Sequence, residues 1–283
     1  MRIIVDNYFH LDRGKTMSLT AIHTIAEDYN LVTERPENAV HSASADSLLE
    51  PEAMRIFIGH YETAAKAVDL EGAAGFFAYT VVNFMLAQQQ LISAHNSALQ
   101  LRPAQLTFHL VPTEKSVAVK FGLHGSVLED APADEDTRSA WLMNVYNRFY
   151  GELIRPLFES LATATGISIV HLWQHLATKF NYVPLRADGL DGALKQRMID
   201  DYEQLKYKVD PAIFGRSKNP IDAKLRYVES MADSDKQVLM KNGCCYYYKM
   251  EASEGSYCFT CPRISDKERE QRRESCRSGQ TSQ

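Results

Sequence analysis

From Gly72 to Leu99 the chain is almost continuously apolar or small, and a helix of that composition has no face to offer to water. The rest of the fold must therefore cover it on all sides, which makes a buried central helix the first expectation. Its most apolar part, Gly72 to Ala87, is interrupted by Asn83 and falls short of the roughly 20 residues that cross a bilayer. No membrane-spanning segment is expected.

Enough material surrounds this helix to bury it. The chain has 283 residues, 45% hydrophobic and 24% charged, which excludes wholesale disorder. Arg2 to Val5 reads as a strand and Ser18 to Asp28 as a short helix, while the first fifty residues are otherwise poorly determined. Pro51 opens a helix carrying Met54, Phe57, Ile58 and Tyr61. QLTFHLVPTEKSVAVKF, from Gln105 to Phe121, alternates apolar and polar residues around a turn and predicts a β-hairpin. Helical spacing resumes from Thr137 through Trp141, Val145, Phe149, Leu153 and Leu157, and Gly166 ends it. Further helices are expected over Ser168 to Asn181 and Leu190 to Val209. Two short strands follow, Lys224 to Ser230 and Lys236 to Met240.

The charge balance, 31 Lys and Arg against 36 Asp and Glu, gives a net charge of -5 and argues against nonspecific nucleic-acid binding. At the N-terminus the apolar stretch before Asp6 is only three residues, far fewer than the roughly 7 to 15 of an export signal. A cytoplasmic location is expected, so the cysteines do not read as a disulfide framework.

Four of the five cysteines lie within eighteen residues, Cys244 and Cys245 adjacent and Cys258 and Cys261 in CFTCP. A tight turn brings the sulfurs of a CxxC pair to one side, which suits metal and iron-sulfur sites. The adjacent pair is harder to place, because neighbouring side chains on a strand point to opposite faces. Gly243 is where the backbone is expected to leave strand geometry. Alternatively, each sulfur of the pair binds a different iron of a two-iron cluster. A single zinc ion on four thiolates, and burial of the cysteines as small hydrophobes, remain open beside it.

This arrangement resembles the C-terminal motif of the FhuF-type ferric siderophore reductases, in which CC, ten residues and CxxC bind a 2Fe-2S cluster. The matching positions here are Cys244, Cys245, Cys258 and Cys261. Tyr248 matches the aromatic residue that follows the pair, and Lys249 the basic residue after it. A looser likeness covers Leu153 to Tyr182, two helices around a turn at Thr165 and Gly166, the second bearing Trp173. The gap here, Tyr246 to Tyr257, is twelve residues. Lengthening a loop by two residues adds only a small fraction of a kcal/mol, so the loop path changes and the ligand set does not.

The resemblance implies one-electron reduction of ferric iron held by a hydroxamate-type siderophore, releasing ferrous iron inside the cell. It also implies an architecture that resembles the C-terminal part of the aerobactin-type siderophore synthetases. No Rossmann glycine fingerprint is present, so a built-in flavin or nicotinamide site is not supported and the electron donor is an unidentified partner. Peripheral association with the inner membrane is compatible with this reading. The alternative is a zinc-stabilised siderophore-binding or siderophore-biosynthesis-related protein without redox activity.

His171 and His175, one helical turn apart, are candidates for the rim of a substrate pocket, with Trp173 between them and Tyr248 opposite. Arg148, Arg155, Lys179 and Arg186 are expected on solvated helix faces. The glycines of GAAG, Gly72 and Gly75, are read as sites of close helix packing.

The expected fold is α+β: a mostly α-helical single domain with a small antiparallel β-sheet and a C-terminal iron-sulfur segment. Its parts are residues 1–50, poorly determined; 51–235, the helical body with the hairpin near 105–121; 236–262, the cluster-binding segment; and 263–283, a disordered charged tail in which Cys276 is a spare thiol.

Overall fold

Local sequence signals account for most of the element boundaries in the computed structural model, which describes residues 2–3, 19–125, 128–190 and 192–279. In chain order the helices are α1 (Leu19–Ala26), α2 (Pro51–Ala65), α3 (Leu70–His95), α4 (Glu135–Tyr146), α5 (Arg155–Thr165), α6 (Ile169–Phe180), α7 (Val183–Ala187), α8 (Gly192–Tyr207) and α9 (Asp266–Arg277). The strands are β1 (Arg2–Ile3), β2 (Leu31–Val32), β3 (His41–Ser44), β4 (Ser97–Leu99), β5 (Leu106–Pro112), β6 (Val117–Leu123), β7 (Leu128–Asp130), β8 (Tyr227–Glu229) and β9 (Lys236–Leu239). About 55% of the chain is helical, and the α+β class read from the sequence is the one observed. Residues 4, 5 and 18 of the expected N-terminal strand and helix lie outside the described residues.

Helix α2 starts at Pro51 and buries Met54, Phe57, Ile58 and Tyr61, the stripe its spacing predicts. Asp69 caps α3 by accepting from the Gly72 amide at 2.7 Å. The helix ends at His95 because Asn96 turns left-handed, with φ 53°, and residues 97–99 then form β4 instead of continuing the helix. Among the described residues α3, at 26 residues, is the one helix long and apolar enough to cross a membrane, and 67% of its most apolar stretch is buried within the protein. It is longer than its apolar core from Gly72 to Ala87 suggests, and it packs on α2, α6 and α8 as a core helix.

The long helical pattern after Thr137 is in fact three pieces. Asp134 caps α4, accepting from the Thr137 amide at 3.0 Å, and a π-helical segment, Asn147–Ile154, joins it to α5. Pro156 lies at the start of α5, where its missing N–H does least harm. Gly166 ends α5 with φ 74°, as its position predicts.

Strands β5 and β6 form the predicted hairpin, with Phe108 opposite Phe121 and Leu110 opposite Val119, all four buried. Strand β3 extends this sheet antiparallel to β5, and β2 extends it parallel to β6. Strands β8 and β9 pair antiparallel, joined by a polar turn, and β1 adds parallel to β9. Residues of the N-terminal stretch, including Ile22, Ile25, Leu31 and Leu48, belong to the same core as the helices.

Two expectations are overturned. The charged tail is ordered through α9, which Ser265 caps by accepting from the Glu268 amide at 3.1 Å. It carries no apolar stripe because it is held by arginine hydrogen bonds instead. Lys179 is not on a solvated face: it lies beneath the Tyr79 ring, its ammonium 3.8 Å from the ring centre.

Polar groups inside the helical core are closed into a network. Asp201, with no exposed side-chain surface, receives both terminal nitrogens of Arg138 at 2.7 and 2.9 Å and the Ser93 hydroxyl at 3.0 Å. Replacing only one partner of such a pair strands a charge. Asp201→Ala is expected to destabilise the protein by about 3–5 kcal/mol in urea denaturation, whereas the double variant R138L/D201L should recover much of that loss.

Candidate metal centre

The two cysteine pairs reach one place by different routes. After β9, the Asn242 amide donates to the Thr178 hydroxyl of α6 at 3.0 Å. Gly243 then passes so close to α6 that a Cβ there would stand 2.8 Å from Gln174 Oε1. The expected left-handed bend is absent at Gly243 and falls instead at Tyr246, with φ 58°. Close approach to Gln174 is thus why residue 243 lacks a side chain. The left-handed turn at Tyr246 is costly for a non-glycine residue, and the ring's seat on α3 holds it there.

That seat is Gly75, where a Cβ would lie 2.3 Å from the Tyr246 ring. A turn earlier, a Cβ on Gly72 would meet the Lys249 side chain at 2.7 Å. The two glycines of GAAG therefore admit the cysteine segment, not a neighbouring helix. Polar bonds fasten the same contact. Lys249 pairs with Asp69 at 2.7 Å and Glu71 at 3.1 Å, and the Tyr246 hydroxyl donates to Glu71 at 3.0 Å. Hydrogen bonding from Lys249 and then Tyr246 holds the Glu71 carboxyl below its ordinary range.

The second pair is closed by a turn in which the Cys261 amide donates to the Cys258 carbonyl at 2.9 Å. Helix α9 grips this turn. Arg269, only 3% exposed, donates to the carbonyls of Cys261 at 2.6 Å and Phe259 at 3.3 Å, and to Asp266 at 2.7 Å. Arg272 donates to the Tyr257 carbonyl at 2.7 Å. The Lys241 amide bonds the Thr260 carbonyl at 3.0 Å, which ties the two cysteine segments together.

The thiols neighbour one another in the order Cys244, Cys261, Cys258, Cys245. Hydrogen bonding from Cys261, with help from the Tyr246 amide and the Arg263 charge, draws the Cys244 thiol down to about 7. Cys245 is pushed up by its bond to Cys258 and by burial, against the pull of Lys241, and Cys261 is raised by its bond to Cys244. Cys244, Cys245 and Cys261 are buried, whereas Cys258 is half-buried and forms the accessible edge. Cys276 stands apart, exposed on α9.

Four thiols that neighbour one another in a chain offer a donor set for zinc or for an iron-sulfur cluster, both of which carry excess negative charge on four thiolates. The surroundings fit such a group. The Lys241 ammonium lies 3.2 Å from Cys245 Sγ and 4.9 Å from the centre of the Tyr79 ring. Burial opposes its charge, but the Tyr79 hydroxyl and the Cys245 and Cys258 sulfurs hold it above the ordinary lysine range. Burial, followed by the Lys241 charge, pushes Lys179 well below that range. Lys179 donates to the Tyr79 carbonyl and to Asn83, neither of which is a counter-charge. Among the described residues no three His, Cys, Asp or Glu side chains close around one point.

The substrate-rim candidates separate. His171 Nε2 lies 2.6 Å from the Cys244 carbonyl, an acceptor, so Nε2 carries a proton, and burial draws the ring below the ordinary histidine range. His175 is fully buried, edge-on to Tyr79 and His171, and burial followed by the neighbouring charges of His171, Lys179 and Lys241 holds it well below the ordinary histidine range. Trp173, 1% exposed, turns into the core against Phe158 and Phe214. Neither His175 nor Trp173 reaches a rim, because successive side chains of α6 point in different directions around the helix. Tyr248 does lie at the surface side, stacked on Tyr257 at 4.5 Å and accepting from Arg263 at 2.7 Å. Sequence reasoning missed Lys241, Arg263 and Arg269. The alternation of Arg and Glu along α9 marked a charged helix, but nothing in it marked carbonyl capture.

Searches of protein-family models, curated proteins and solved structures return no match for this chain.

Two variants test this assembly. Gly75→Ala favours the helix but displaces the Tyr246 ring, so the fold should persist by circular dichroism while metal bound per chain falls severalfold. Arg269→Ala leaves all four cysteines in place but frees the carbonyls of Phe259 and Cys261. It is expected to destabilise the chain by on the order of 3 kcal/mol and to lower metal retention on gel filtration.

Proposed function

We propose that the chain holds a 2Fe-2S cluster on Cys244, Cys245, Cys258 and Cys261 and reduces ferric iron bound by a hydroxamate-type siderophore. The observation that carries this reading is the chain of neighbouring thiols Cys244, Cys261, Cys258 and Cys245, its end at Cys245 lying 3.2 Å from the Lys241 ammonium and Cys258 at the accessible edge. When bound, such a cluster supplies a one-electron donor whose potential is set by charge, sulfur hydrogen bonds and exposure. Siderophore oxygens hold ferric iron far more tightly than ferrous iron, so one electron delivered to the substrate loosens their grip and lets the metal leave.

The chain's own residues do the rest. Lys241 and Arg263 offset negative charge on the sulfurs from two sides, which makes an added electron less unfavourable. His171 fixes the Cys244 backbone, and Arg269 fixes that of Cys261. The Tyr248–Tyr257 stack, with Arg263 over the Tyr248 ring at 5.2 Å, offers an aromatic and cationic face beside Cys258 for an oxygen-rich chelate. No general acid, base or nucleophile is needed for outer-sphere electron transfer. A single zinc ion on the same thiolates is the second reading, favoured by the burial of three of the four cysteines.

Anaerobic purification decides between them. The expected product contains iron and acid-labile sulfide, absorbs in the visible, is bleached by dithionite, and in its reduced form converts a ferric hydroxamate to ferrous iron. A colourless protein with one zinc per chain would establish the second reading. Cys244→Ser is expected to lose most of the iron and the reductase activity; full iron content in that variant would contradict the ligand assignment.

A further inference from the structure

A cleft of about 740 Å3 opens between β8 and α9, on the far side of the CxxC turn. Its size lies within the range of small-molecule sites. One wall is apolar: Met240, Pro262 and Ile264, with the ring of Tyr227, which is 41% exposed, at the mouth. Pro262 follows Cys261 directly, and Ile264 packs with Cys244 and Cys261. A ligand in this cleft would therefore rest against the backbone and side chains that enclose the thiols.

The other wall is cationic. Its two acids are neutralised locally, Glu229 by Arg277 at 2.6 Å and Asp266 by the buried Arg269 at 2.7 Å. Arg226 also lines the cleft, and among the described residues its guanidinium has no ion-pair or hydrogen-bond partner. Arg273 lines it too, paired with Glu270 through one terminal nitrogen, while its Nε is buried and unbonded. An anionic head joined to a flat apolar body matches both walls.

We propose that this cleft is the docking site of the electron donor, and that the donor is a reduced flavin mononucleotide whose phosphate meets Arg226 and Arg273. The proposal rests on the reductase reading above. The planar ring would lie along Tyr227, Met240 and Pro262, on the Cys261 side. Flavin is selected by electron count: the acceptor takes electrons singly, and a reduced flavin releases its two one at a time, whereas a nicotinamide gives up a hydride pair at once. Oxidation of one reduced flavin yields two electrons and two protons; two ferric ions become two ferrous ions, and oxidised flavin leaves. A dissociable ligand in a surface cleft needs no dinucleotide-binding fingerprint, consistent with the lack of one in the sequence.

The test is titration of the full-length, anaerobically purified chain into flavin mononucleotide, read by quenching of flavin fluorescence. Saturable quenching is expected, weakened at least tenfold by Arg226→Glu and similarly weakened for riboflavin, which lacks the phosphate. Arg226 is exposed, so the substitution leaves the fold intact. Absence of saturable quenching, or equal binding by the variant or by riboflavin, overturns the proposal. The dithionite-reduced wild-type chain mixed with a ferric hydroxamate serves as the separate arm. If it reduces iron while flavin fails to bind, only the flavin site falls. If it does not, the reductase reading falls.

Discussion

The contact between Gly75 and the Tyr246 ring decides where the cysteine segment is seated. Without a side chain at residue 75, the cysteine segment lies directly on α3, and the ring's seat there supports the left-handed turn that directly follows Cys244 and Cys245. The helix that carries this glycine is also the one the core is built around. The N-terminal half of α3 receives the site, and its C-terminal half supplies Gln89 and Ser93 to the buried network around Asp201. Any shift of α3 within the core is thereby transmitted to the sulfurs. A helix made for burial is held stiff by close packing, and that stiffness fixes the seat of the cysteine segment.

Charge is distributed unevenly around the sulfurs. Lys179 is half-buried against the Tyr79 ring and bonded to neutral oxygens, and Lys241 looks at a thiol and an aromatic ring. The acids of the region are directed elsewhere: Asp69 and Glu71 are engaged by Lys249 at the outer edge of the seat. Lys241 is thus left as the cation that faces Cys245.

What the sequence made legible follows the strength of local signals. Pro51, Asp134 and Gly166 mark helix ends because capping and φ restrictions act within a few residues, and the β5–β6 hairpin follows from period-two alternation. The four cysteines were visible by clustering alone. Lys179 was misplaced because helical spacing tells which residues share a face and not what covers that face; Tyr79, a hundred residues away, does the covering. Trp173 went to the wrong side for the same reason. The α9 tail read as disordered because it has no apolar stripe, and its order comes from arginines capturing carbonyls of a loop, an arrangement with no sequence period.

The site is preorganised by its backbone rather than by its sulfurs. Metal sites in small domains commonly supply the folding energy themselves, whereas here each segment is anchored by bonds that involve no thiol. His171 holds the Cys244 carbonyl, Thr178 the Asn242 amide, Thr260 the Lys241 amide, and Arg269 and Arg272 the CxxC turn. The cysteines add little core of their own, Cys244 and Cys261 clustering with Ile264 alone among buried residues. Sulfur positions are thus imposed from outside, by helices on two sides that are joined to the rest of the fold. Such a framework would change shape little if the proposed cluster gained or lost an electron, which would keep reorganisation small. That is the physical requirement for the outer-sphere transfer proposed above, and amide, imidazole and guanidinium hydrogen bonds are the means this chain has of meeting it.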